Sequence, residues 1–157
     1  MRYLKYTALI LFTASLAQAN DLTDIRELAN ANGFSPSNKV LKAVIKASKR
    51  YNVDPKELAA IGILETGLGK YLKDRVNDNG TTDEGVFQIN TVNQTNCKSY
   101  DLKTVEGSAY CAAKLLHKIA KNHTDYLGRY HSKTPKHKKR YENALMKVLK
   151  IQLTESE

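Results

Sequence analysis

The sequence predicts a mainly α, α+β domain in which helices surround one small β-hairpin or turn insertion placed after the central helix. Three observations carry this. Apolar residues recur at helical spacing in four segments, near 21–31, 37–51, 104–121 and 134–149. A further stretch, Pro55 to about Thr66, is apolar on every face and so belongs inside what the others enclose. Residues 70–90 lose the helical period, and they carry the turn cluster Asn77-Asp78-Asn79-Gly80.

At 157 residues the chain suits one domain. Residues 1–19 read as a secretory signal. Arg2 and Lys5 form its basic start, Thr7 to Leu16 its apolar run, and Ala17-Gln18-Ala19 a small-residue cleavage site before Asn20. The apolar run is too short for a membrane span, which needs about 20 residues, so no span is expected once the signal is removed. The expected mature domain is 20–157. Its helices are then read in order. The first, 21–31, puts Leu22, Ile25, Leu28 and Ala29 on one side and ends before Gly33 and Pro36. The second, from Ser37 to Tyr51, turns Val40, Leu41, Val44, Ile45 and Ala47 inward and Lys42, Lys46, Lys49 and Arg50 outward.

The third begins at Asp54, an N-cap, with Pro55 at the first helical position and Glu57 completing a capping-box pattern. After Leu58-Ala59-Ala60-Ile61-Gly62-Ile63-Leu64 comes Glu65, then Thr66-Gly67-Leu68-Gly69, whose glycines close the helix. Glu65 lies four residues after Ile61, on the same stripe. A carboxyl is thus brought to the negative end of a buried helix. Desolvation and the helix dipole both disfavour its charged form and raise its pKa. A general acid working near neutrality needs this property. A buried structural glutamate paired with a nearby Arg or Lys is the alternative.

In the insertion, Asn79-Gly80 fits a two-residue hairpin turn, and Val86-Phe87-Gln88-Ile89 fits a short strand or a helix start. Residues 93–103 read as polar loop. A long helix over 104–121 buries Val105, Ala109, Ala112, Leu115, Leu116 and Ile119. A short one holds Tyr126 to Tyr130. The last begins near Thr134-Pro135, with Tyr141, Leu145, Val148 and Leu149 as its core face.

Charge and cysteines narrow the function. The chain holds 25 Lys+Arg against 16 Asp+Glu, net +9, and loss of Arg2 and Lys5 would leave a basic exported protein. That suits an anionic partner such as a cell-wall polymer; export and the lack of an aromatic-studded basic motif speak against nucleic acid. Cys97 and Cys111 most simply form one disulfide in an exported protein, worth roughly 3 kcal/mol in the chain-entropy picture; two free buried thiols are the alternative. His117, His123, His131 and His137 have no metal-ligand spacing, and no metal or cofactor is expected. The basic run Lys136-His137-Lys138-Lys139-Arg140 sits in the first turn of the last helix, where cations oppose the dipole.

The run Asp83-Glu84-Gly85-Val86-Phe87-Gln88-Ile89-Asn90, following Glu65-Thr66 at a helix end, resembles the lysozyme superfamily. It resembles the matching run of chicken-type lysozymes and is more similar overall to the soluble-lytic-transglycosylase-like domains that accompany type III and type IV secretion, conjugation or pilus machinery. The resemblance covers about residues 37–149 and extends to Tyr130-His131-Ser132 and the Tyr141 helix. It implies an α+β lysozyme-like fold, a periplasmic or secreted location, peptidoglycan glycan strands as substrate and envelope machinery as a possible partner. The protein is expected to be monomeric.

Residue by residue, the resemblance implies Glu65 as catalytic acid/base and Tyr130 as the tyrosine facing it. Thr66, Gly85, Phe87, Gln88, Asn90, His131 and Ser132 are implied to line the substrate groove, with His131 in place of the family's Asn. Asp83 matches the second carboxylate of chicken-type lysozymes. Three functions follow. A lytic transglycosylase would cleave the MurNAc–GlcNAc β-1,4 bond with one carboxyl and form a 1,6-anhydro end. A hydrolytic lysozyme would use the Glu65/Asp83 pair and water. A non-catalytic wall-binding assembly protein would keep only the groove.

Overall fold

A computed structural model describes residues 20–154, so the expected signal segment lies outside the described residues. Its order is helix α1 (20–31), α2 (Asn38–Tyr51), α3 (Pro55–Thr66), strands β1 (Arg75–Val76), β2 (Thr82–Glu84) and β3 (Ile89–Asn90), a 3-10 helix (Thr91–Cys97), then α4 (Val105–Ala120), α5 (Tyr126–His131) and α6 (Pro135–Thr154). Helices with a small antiparallel sheet make the fold α+β and lysozyme-like. Among the described residues no helix is long and apolar enough to cross a membrane.

Local chemistry sets the helix ends. The Ser37 side chain caps α2, and the Asp54 carboxylate accepts from Lys56 N at 2.7 Å and Glu57 N at 3.3 Å to start α3. Glu57 turns away from the cap and accepts the Tyr126 hydroxyl at 2.7 Å, which ties the start of α3 to α5. Thr104 caps α4 by accepting from Gly107 N at 3.0 Å. At the other end of α3, Gly67 takes the left-handed conformation and its N–H closes onto the last turn.

α3 is the centre of the core. Leu58, Ala59, Ala60 and Ile61 are fully buried, with α2 and α6 packed against the helix and α4 against α2. Gly62 admits a close neighbour: a Cβ there would stand 2.7 Å from Leu68 Cδ2 and 3.0 Å from Phe87 Cε1. Phe87, the largest fully buried side chain among the described residues, thereby rests on α3.

The insertion departs from the expected two-residue turn. β1 and β2 pair with Val76 opposite Thr82, leaving a loop over 77–81 in which Gly80 N bonds to Asn77 O at 2.9 Å. Asn77 N also donates to Thr81 O at 2.8 Å, so a third residue, Gly80 with its left-handed φ of 77°, enters the turn, and the Asn79 side chain holds it by accepting the Thr81 N–H and hydroxyl at 3.1 and 2.8 Å. Asp83 and Glu84 face Asn90 and Ile89 across the second ladder. The stretch expected as polar loop begins with the 3-10 helix. Asn90 caps it by accepting from Val92 N at 3.0 Å, and Cys97 at its end is bridged to Cys111 of α4.

Candidate active site

A cleft of about 1470 Å³ takes its walls from the sheet and the 3-10 helix, and from α4, α5 and the residues just after α5. Leu64 and Glu65 reach it from the end of α3. Asp83, Gln88, Asn90, Tyr130, His131 and Ser132, all expected at the site, line the same space.

Burial is the largest influence on Glu65 and pushes its carboxyl from 4.5 up to about 7. The Tyr141 hydroxyl opposes that rise by donating to Glu65 Oε1 at 2.6 Å. The negative charge of Asp83 raises the value again, and Arg75 lowers it. The result is a carboxyl poised between its two forms near neutral pH, able to give a proton and take one back.

Tyr141 reads as a core aromatic in the sequence because it shares a face with Leu145 and Val148. The ring is indeed buried, yet its hydroxyl is spent on the carboxyl. His131 stacks on that ring, centroids 4.6 Å apart and planes within 2°. Burial lowers the pKa of His131, and nearby His137 adds to this.

Asp83 is held from both sides. Asn77 Nδ2 donates to Oδ2 at 3.1 Å, and Asn90 Nδ2 donates to Oδ1 at 2.8 Å. Asn90 also reaches Thr81 Oγ1 at 2.9 Å, so it braces the strand–loop corner as well as lining the cleft. In the sequence Asn77 reads only as part of a turn cluster, and Arg75 carries no signal of its own. The pairing register brings them in, and no local pattern encodes it.

Gly85 to Gln88 form a turn whose backbone is pinned from three elements. Thr66 Oγ1 donates to Val86 O at 2.7 Å and accepts from Gly69 N at 2.9 Å. Ser108 Oγ of α4 accepts from Phe87 N at 3.2 Å, and the Tyr130 hydroxyl of α5 donates to Phe87 O at 3.1 Å. Gly85 has φ +72°, and a Cβ there would meet Leu102 O at 2.1 Å, so no side chain fits. Gln88 also has positive φ, 45°, a strained state for a residue with a side chain; its amide donates to Gly85 O at 3.0 Å.

Three of the expected groove residues therefore sit beneath the groove. Thr66 is 2 % exposed, Phe87 is fully buried and Gly85 is buried, so neither the Thr66 nor the Phe87 side chain is offered to a substrate. These residues instead lock the turn to the end of α3. His131 is exposed, and the half-buried Ser132 accepts from Thr134 N at 3.1 Å through its hydroxyl.

The lysozyme-like class is defined by this relation between parts, a short sheet and a helical body sharing one polar cleft, with the end of a buried helix at its floor. Within that class, residues 42–146 match the Transglycosylase SLT domain, and the chain belongs to this family. The family's activity is that of peptidoglycan-cleaving lytic transglycosylases. No curated protein and no solved structure matches the chain.

Proposed function

We propose that the protein is an exported lytic transglycosylase that cuts the MurNAc–GlcNAc β-1,4 bond and leaves a 1,6-anhydro end. The observation that carries this reading is Glu65, a cleft carboxyl with a pKa of about 7 held by the Tyr141 hydroxyl. Protonated Glu65 donates to the glycosidic oxygen as the bond to C1 breaks, and the sugar's own acetamido oxygen shields C1. The Glu65 carboxylate then takes the proton of the C6 hydroxyl as O6 bonds to C1. The acid is restored and no water is consumed. Tyr141 positions the carboxyl; Tyr130 holds the turn at Phe87 and closes the cleft beside it.

A lysozyme reading rests on Asp83 lining the same cleft as Glu65. Against it, each Asp83 oxygen already accepts a side-chain amide, an arrangement suited to bracing the sheet and contacting sugar rather than attacking C1. Resemblance to the secretion- and conjugation-associated domains supports local wall opening for an envelope machine, in the periplasm after signal removal. The test is mass spectrometry of purified peptidoglycan after digestion. Anhydro-MurNAc ends are expected; reducing ends would establish a lysozyme, and no cleavage a binding protein.

A further inference from the structure

One face of α6 is a cationic stripe that the cleft does not use. At 3.6 residues per turn, Lys136, Lys139, Arg140, Lys147 and Lys150 fall within an arc of roughly 100°, and at 1.5 Å per residue they run for roughly 20 Å. All five are exposed. Tyr141, Leu145 and Val148 occupy the opposite side and are buried, so α6 separates the stripe from Glu65. Glu142 is the only acid in residues 135–154, and it answers one member of the stripe, Lys139, at 3.5 Å. Lys138, which completes the basic run, is structurally spent: it pairs with Asp125, which also binds Arg129 at 2.6 Å.

Charge placed this way is unfavourable for the fold alone. Lys136 stands in the first turn of α6 and opposes its dipole, and like charges one turn apart, such as Lys136 and Arg140, repel. Where local preference is broken without structural gain, function is the place to look.

Resting on the proposed reading of the cleft, we infer that the stripe is a second wall-binding surface that takes carboxylates carried by a peptidoglycan strand. A polymer that repeats its carboxylates supplies many weak contacts at once, which is what a row of exposed cations can use. A lipid surface fits less well. Membrane-surface helices flank their cations with apolar residues that enter the interface, whereas this face has Asn143 at its middle and Met146, 41 % exposed, at its edge.

The test uses sedimentation with insoluble sacculi, in a Glu65→Gln background so that nothing is cleaved. The stripe variant combines Lys136→Gln, Lys139→Gln, Arg140→Gln, Lys147→Gln and Lys150→Gln. It should bind roughly tenfold or more weakly at low salt, and the difference should close as salt is raised. Amidating the sacculus carboxyls should remove the same advantage from the parent protein. With Glu65 intact, the stripe variant should cleave short soluble fragments at the parent rate and sacculi more slowly. Equal binding by both proteins, or binding to phosphatidylglycerol vesicles but not to sacculi, overturns the inference. Failure of the intact protein to cleave any fragment would instead overturn the reading of the cleft and leave the binding result standing.

Discussion

Replacing Glu65 by Gln should make the protein more stable at pH 8, by an amount that disappears in acid. Burial raises the folded carboxyl from 4.5 to about 7, so the folded state binds more protons than the unfolded state between those values. Stability therefore falls as pH rises through that window: the cost is absent below about 4.5, grows up to 7 and stays constant beyond it. At 1.36 kcal/mol per pH unit it reaches roughly 3 kcal/mol. Gln keeps the shape, carries no charge and still offers an amide oxygen to the Tyr141 hydroxyl. Urea unfolding of both proteins at pH 4, 6 and 8 is the assay. The two should agree within about 0.5 kcal/mol at pH 4, with the variant ahead by roughly 2–3 kcal/mol at pH 8. A gap that does not change with pH would refute the desolvated carboxyl.

Tyr141→Phe removes a hydrogen bond that favours the charged form of Glu65, so the alkaline limb of the pH–rate profile should move up by roughly one to two units; a limb that stays in place contradicts the positioning role. Asp83→Asn should slow cleavage by roughly 10–100-fold and leave anhydro products unchanged, because bracing contacts are worth about 1–3 kcal/mol; near-total loss with reducing-end products would make Asp83 a lysozyme carboxylate. Thiol labelling of the non-reduced protein should find Cys97 and Cys111 unreactive, and two labelled thiols would reject the bridge.

The end of α3 was legible because every signal there agreed. Asp54, Pro55 and the Gly67 closure fix the helix, and an unbroken apolar run fixes its burial, so Glu65 could only emerge from the core. The amphipathic α2 was legible for the same reason, its stripe matching the burial found, and so was most of α4, where Ala109, Ala112, Leu115 and Leu116 are buried but Val105 and Ile119 are only half-buried, Ile119 lining the cleft. The insertion was less so, since two- and three-residue strands carry almost no periodic signal and their register depends on side chains such as Asn79 and Asn77. Tyr141 shows a different limit. Its ring belongs to an apolar stripe, and a stripe says nothing about where a hydroxyl at its edge will find a partner. Thr66, Gly85 and Phe87 show the converse, because motif residues read as groove contacts are the fastenings under it.

Release of soluble fragments from purified peptidoglycan, measured side by side for the parent protein and Glu65→Gln at pH 6, bears most directly on the central claim. Glu65 is mostly protonated there, so the parent should release anhydro-ended fragments steadily, while the folded variant, which cannot shuttle a proton, should release none. A folded Glu65→Gln protein releasing fragments at the parent rate would contradict the assignment of Glu65 as the acid and base of the reaction.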